Sequence, residues 1–452
     1  MIFSGVRNFF APAPHIQRLP DDQVKRQYPK YRWSMLESTF IGYATFYIVR
    51  NNLAVVVKDI EGALHYDHAD IANILAVTSI SYGIGKFLMG ALSDRSNPRK
   101  FMAFGLLLTA LCNFVFGSVA NYYVHLVLWS MNGFIQGMGW PPCGRTIGHW
   151  YSVKERGTVF SIWNVATNVG GGLAGIIAAN AVAHFGYWQA AFYFPATIAL
   201  CVSAYLFWRL RDTPQSVGLP PIEEYKGAYT EDEILRHETH ERELGTRELF
   251  VEYILKNKFL WLFAVANFFV YIVRYSMLDW GPTYLREIKG ATLTGGGIAI
   301  LILEFGGIPS TLLMGWISDK LGGRRGMVSL LCMIPILAAF AVILFNPPGH
   351  LWIDMIMLGA VGFFVYPPVM LLAISALDLT SKKAVGTAAG FIGLFGYLGR
   401  AAQAKGFGWM ADYFGKQYGI EVGWNIVIYS ILGSTLMAIA LLAFTWRIKP
   451  KA

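Results

Sequence analysis

Apolar runs of roughly 20 residues, the length that crosses a bilayer's hydrocarbon as one helix, recur along this entire chain of 452 residues. Twelve stand out, at about 33–53, 75–93, 101–120, 122–142, 157–184, 187–208, 257–282, 292–316, 326–345, 351–374, 385–413 and 423–446. Inside lipid every backbone N–H and C=O must be satisfied within the chain, so runs of this length are helices. Charged residues make up only 14% of the sequence, against roughly a quarter in a soluble domain. The prediction is an all-α integral membrane protein with twelve transmembrane helices. The first residues lack the layout of a cleaved signal peptide. Cys112, Cys143, Cys201 and Cys332 lie in or beside the runs and read as packing residues, not a disulfide set or metal site.

The net charge of +9 is a topology signal. Lys25, Arg26, Lys30 and Arg32 precede run one; Arg95, Arg99 and Lys100 follow run two; Lys154 and Arg156 follow run four. The same alternation continues with Arg209 and Arg211, with Lys320, Arg324 and Arg325, with Lys382 and Lys383, and with Arg447, Lys449 and Lys451. The intervening loops "NYYVH", "AHFGYW" and "NPPGHLW" have no Lys or Arg. The positive-inside rule puts both termini and the central loop in the cytoplasm. It also accounts for the basic excess without nucleic acid. The expected organisation is a tail at 1–32, a six-helix bundle at 33–211, a central loop at 212–256, a second six-helix bundle at 257–446 and a tail at 447–452. His237, Glu238, His240 and Glu241 in the central loop read as a solvated face.

The two halves repeat. "YIVR" ends at Arg50 and again at Arg274, 224 residues later. "GALSDRSNPRK" matches "GWISDKLGGRR", pairing Gly90 with Gly315 and Asp94 with Asp319, 225 apart. Trp140–Pro142 matches Tyr366–Pro368 at a spacing of 226. A shared period points to two bundles related by a pseudo-two-fold axis along the membrane normal.

A mid-membrane arginine costs at least roughly 2.5–3.5 kcal/mol, so a chain that carries one twice, symmetrically, should use it. Tyr43, Tyr47 and Arg50 fall at i, i+4, i+7 on one helix face, as do Asn267, Tyr271 and Arg274. Two opposed guanidinium forks match a phosphate. Lys86, one turn after Tyr82, adds a point charge. Arg274 has Asp279 in its own run and Glu304 in run eight as candidate counter-ions, and at least some positive potential should remain. The glycine clusters at 168–175 and 386–399 mark close helix approach or flexing. No nucleophile–base pair or metal cluster stands in the runs, so an enzyme is not expected, nor a cofactor.

The G-x-x-x-D-R/K-x-x-x-R/K loops resemble the signature of the major facilitator superfamily. "GWPPCGRT", "KERG", "WNVATNVGGG", "DTPQSVGLPPIEEY", "GIPSTLLMGWISDK" and "GTAAGFIGLFGYLG" together resemble its organophosphate:phosphate antiporter family, from about residue 10 to about 445. That resemblance implies the major facilitator fold. It implies a monomeric exchanger in the bacterial inner membrane that trades an organic phosphate ester for inorganic phosphate by alternating access. Arg50 and Arg274 would hold the phosphate. Lys86, Tyr43, Tyr47, Tyr82, Tyr271, Trp140, Trp163, Asn164, Thr167, Tyr366 and Tyr397 would line the path. Asp279 and Glu304 would form a charge network near Arg274, while Asp94, Arg95, Asp319 and Lys320 would serve gating.

Three departures bear on the substrate. Thr167 stands where the family commonly has histidine, Asn51 where glycerol 3-phosphate carriers have lysine, and Arg400 and Lys405 where those carriers have small or neutral residues. Glycerol 3-phosphate is the leading expectation. A hexose phosphate, a phosphoglycerate, or a hexose-phosphate sensor that signals instead of carrying is the alternative.

Overall fold

The computed structural model describes residues 8–93, 96–227, 255–379 and 385–448. Asp94, Arg95, Lys382, Lys383 and the His237–Glu241 cluster lie outside them, as does the side chain of Asp319. Among the described residues the chain is helical, without strands. The first half comprises α1 (Asp21–Asn51), short α2 (Val57–Leu64), α3 (His68–Ser93), α4 (Pro98–Ser118), α5 (Tyr122–Gln136), α6 (Trp140–Trp150), α7 (Val153–Phe185) and α8 (Ala190–Arg209), followed by one turn, α9 (Ile222–Lys226). The second comprises α10 (Lys258–Asp279), short α11 (Gly281–Glu287), α12 (Leu293–Lys320), α13 (Arg325–Phe345), α14 (Leu351–Leu379), α15 (Val385–Tyr418) and α16 (Ile420–Ala443).

Each of the twelve apolar runs is helical over most of its length. Nine described helices are long and apolar enough to cross a membrane, or ten if the pair α1–α2, bent by 54° at its break, counts as one. Run four is divided between α5 and α6 around Gly137–Gly139, so neither piece is a full span by itself. α15 is long enough at 34 residues, but carries Arg400, Lys405 and further charges.

The halves meet along two seams: α7 packs on α12, and α3 on α15. Glycine makes the first seam possible. A Cβ on Gly175 would stand 2.9 Å from the carbonyl oxygen of Gly297, and one on Gly297 would stand 2.7 Å from that of Gly175. The 168–175 cluster is thus a close-approach surface. Cys112, Cys143 and Cys332 are buried free thiols, whereas Cys201 is free but exposed, so it does not pack in the interior.

At the end of the bundle away from the termini, the halves are tied by charge. Arg286 forks onto Asp59, with Nη2 3.2 Å from Oδ1. His68 sits between Glu61, 2.7 Å from Nδ1, and Glu287, 3.3 Å from Nε2. Lys416 reaches Asp67 at 3.4 Å. Each of these joins a residue before 70 to one after 285, with Glu61 alone pairing within its own half.

Candidate substrate-binding site

Arg50 is the penultimate residue of α1 and Arg274 lies five residues before the end of α10, and each is only 6% exposed. Neither guanidinium has a carboxylate in ion-pair contact among the described residues. Both are caged by aromatic rings instead. The Cζ of Arg50 lies 4.0 Å from the ring centre of Tyr47 and 4.9 Å from that of Tyr82. The Cζ of Arg274 lies 4.7 Å from Tyr366, 4.9 Å from Tyr275 and 5.9 Å from Tyr271. Ring faces attract a cation but leave its N–H groups free of strong acceptors. The Nε of each arginine is buried without a hydrogen-bond partner. The two cages adjoin, since Tyr47 feels the charge of both arginines and Tyr275 lies within electrostatic reach of Arg50.

Lys86 on α3 extends the cluster, with Nζ 5.5 Å from the Trp140 ring and 5.8 Å from Tyr397. Tyr397 in turn packs edge-on against Tyr82 and Tyr271. Tyr43 stacks on Trp163 at 4.8 Å and meets Tyr47 edge-on. Asn164 is half-buried beside Trp163, and Thr167 is buried one turn further along α7. Glu304, fully buried on α12, accepts from Asn168 Nδ2 at 3.2 Å and from the Tyr366 hydroxyl. Both donors reach Oε2, while Oε1 is buried without a hydrogen-bond partner. Glu304 therefore bridges the halves and lies within electrostatic reach of Arg274 without forming an ion pair with it.

Asp279 departs from the sequence-based expectation. It does not join a network at Arg274. It pairs with Arg400 at 2.9 Å and accepts from Gln403 at 2.7 Å. Five residues along α10 rotate Asp279 about 140° from Arg274, so the two side chains leave different faces. Arg400 is thus neutralised across helices. It still borders the site: its Cζ lies 4.0 Å from the Tyr275 ring, and with Arg50 and Asp279 it lines a cavity of about 10 Å³, room for roughly one water. Lys405 is exposed on α15 and is not part of this cluster. Lys320 is exposed, with its ammonium 3.9 Å from the Trp316 ring. Sequence reading missed Tyr275 and Gln403, each buried but without a motif to single it out, and it passed over buried Asn168 although that residue lies in "WNVATNVGGG".

Among the described residues at the far end, one group has metal-ligand chemistry but not the arrangement for it. Glu61, His68 and Glu287 bring three ligand-type atoms within 4.8 Å of one another. The carboxylates, however, sit on opposite ring nitrogens, and one ion can take only one of them.

Two symmetry-related helical halves enclose this cluster, and a sequence model of the Major Facilitator Superfamily matches residues 39–404. The chain belongs to the major facilitator superfamily. This major facilitator is 43% identical over 451 residues to the glycerol-3-phosphate transporter of Bacillus subtilis, covering 98% of this chain and 99% of that one. It is 37% identical to the "Probable hexose phosphate transport protein" of Chlamydia pneumoniae, covering 98% and 97%. Its fold matches the crystal structure of a bacterial homologue of the human lysosomal transporter Spinster, in an inward-facing unoccupied conformation. That match has a TM-score of 0.74 at 16% identity and covers 92% of this chain and 97% of that one.

Proposed function

We propose that this major facilitator is a secondary transporter that exchanges an organic phosphate ester, with glycerol 3-phosphate foremost, for inorganic phosphate. The observation that carries the reading is the pair of buried arginines, caged by tyrosines and free of carboxylate partners. Arg50 and Arg274 each offer a planar fork to phosphate oxygens. Lys86 supplies a third charge, and the surrounding phenols supply donors.

Charge balance favours a small dianionic ester. Arg50, Lys86, Arg274 and Arg400 bring four positive charges, and Asp279 neutralises Arg400. The remaining excess of cations favours a doubly ionised phosphate. A phosphoglycerate is the second reading, because Arg400 borders the site and would meet a second anionic group if Asp279 released it. With the termini in the cytoplasm of a bacterial inner membrane, the Arg286–Asp59 and His68–Glu287 ties close the outward side. Alternating access then requires those ties to break while the halves rock about the central site.

The test is counterflow of labelled phosphate into liposomes carrying the pure protein, against a panel of phosphate esters. Exchange with glycerol 3-phosphate is expected, and it is expected to vanish in Arg274→Lys at unchanged protein abundance. An active Arg274→Lys sinks the paired-fork reading. A protein that binds hexose phosphate but exchanges nothing is a sensor.

A further inference from the structure

A basic groove lies at the termini end of the first half, well separated from the arginine cluster. One wall is a stripe on the first turns of α1: Arg26, Gln27, Lys30, Tyr31 and Ser34, at i, i+1, i+4, i+5 and i+8. The other wall is the end of α8 and its continuation, with Trp208, Arg209 and Arg211. The groove is open and encloses about 460 Å³, within the size range of small-ligand sites.

Its charge is in excess. Arg209 pairs with Glu37 at 3.4 Å, and Glu37 also accepts from the Tyr205 hydroxyl. Arg211 donates from Nη1 to the Trp208 and Leu210 carbonyls at 2.6 and 2.8 Å, which positions its guanidinium and leaves its charge uncompensated by acid. Arg26 and Lys30 are exposed and form no ion pair among the described residues. Three net cations thus converge on one concavity.

We propose that this groove binds the headgroup of an anionic diacyl phospholipid, with the phosphodiester between Arg26, Lys30 and Arg211. The surroundings distinguish a lipid from a free phosphate ion. Trp208 is 66% exposed, Phe207 beside it 45%, and Trp33, next to groove-lining Ser34, 64%. Exposed tryptophans where spans meet water mark the headgroup level of a bilayer. A basic pocket between helices at that level is suited to anionic lipid headgroups. Acyl chains leaving the groove meet apolar rings, which a free phosphate would not use. The site is independent of what the protein transports.

The experiment uses the full chain in a non-ionic detergent, with retained lipid counted by native mass spectrometry during titration with phosphatidylglycerol or phosphatidylcholine. Wild type is expected to retain phosphatidylglycerol and not phosphatidylcholine. Each cation removed should weaken retention roughly fivefold, so Arg26→Gln/Lys30→Gln/Arg211→Gln should weaken it about 100-fold. Lys100→Gln/Lys226→Gln/Lys258→Gln, equal in charge and outside the groove's lining, should weaken it less than twofold. Lys30→Gln alone, at an exposed position, keeps the test valid if the triple variant unfolds. Three results overturn the proposal: equal loss in the two triple variants, equal retention of phosphatidylcholine, or displacement of the lipid by millimolar inorganic phosphate, which would mark a free-phosphate site.

Discussion

Arg286 of α11 forks onto Asp59 of α2, joining the C-terminal half to the N-terminal half at the end away from the termini. Both side chains are half-buried, at 14% and 26% exposure, so the pair is neither fully screened nor fully desolvated. A charge-assisted fork of this kind contributes about 1 kcal/mol or more. Arg286→Gln should therefore raise the open population at this end about fivefold. The reporter is the thiol-labelling rate of Ala54→Cys, which lines the small central cavity, in a background where exposed Cys201 is replaced. Arg18→Gln, whose partner Glu224 lies in the same half, should leave the rate unchanged. An unaltered rate in Arg286→Gln means the fork does not hold the halves together.

The same closure should depend on acid through Glu287. Burial alone would raise its carboxyl, but the hydrogen bond to His68 and that residue's charge outweigh burial, helped by Trp424 and Lys58, and hold it below the usual carboxylate range. A depressed carboxylate contributes stability that is complete above its ordinary value, about 4.3, and is lost as pH falls through the depressed one. Labelling of Ala54→Cys, normalised at each pH to the labelling rate of free cysteine because the thiolate is the reacting form, should accelerate as pH falls through that depressed range, and Glu287→Gln should flatten the acid limb. Glu61, on the other ring nitrogen, is pushed up by its burial, so Glu61→Gln isolates the Glu287 step.

Asp279 and Arg400 are a buried pair, and breaking one side leaves an uncompensated charge at a cost of about 3–5 kcal/mol. Asp279→Asn should lower thermal stability in detergent by an amount of that order. Asp279→Asn combined with Arg400→Gln should recover most of the loss. Additive losses in the double-mutant cycle would show that the pair is not coupled.

The α7–α12 seam has no room for a side chain at Gly175. Gly175→Val forces a clash with the Gly297 carbonyl and should cost about 1–3 kcal/mol of packing along with most exchange activity. Gly390→Ala, which meets nothing within 4 Å among the described residues, should change exchange less than twofold by the same packing rule. Equal activity in the two variants argues against a tight seam.

Thr167 is buried next to Asn168, whose amide donates to Glu304. A histidine there changes charge between about pH 5 and 8. Thr167→His should add a pH dependence to the apparent phosphate affinity beyond that of phosphate's own ionisation. Superimposable wild-type and mutant profiles from about pH 5.5 to 8, in an active mutant, would place position 167 away from the substrate.

The sequence by itself determined the helices, the two-fold organisation and the pair of arginines. Each of these is written locally: apolar runs long enough for lipid, a repeat near 225 residues, and tyrosine and arginine at i, i+4, i+7 on one face. Glycine at 168–175 announced a close helix contact, but not that α12 would be the partner. The tertiary structure alone decided which charges meet. Asp279 is five residues from Arg274 and 121 from Arg400, yet it pairs with Arg400. His68 meets Glu287 across 219 residues. Helical rotation separates side chains that are near in sequence, and packing between helices joins those that are far apart. Counter-ion choice in a bundle is therefore a property of the assembled interfaces, where burial makes every unpaired charge costly and geometry determines which partner is within reach.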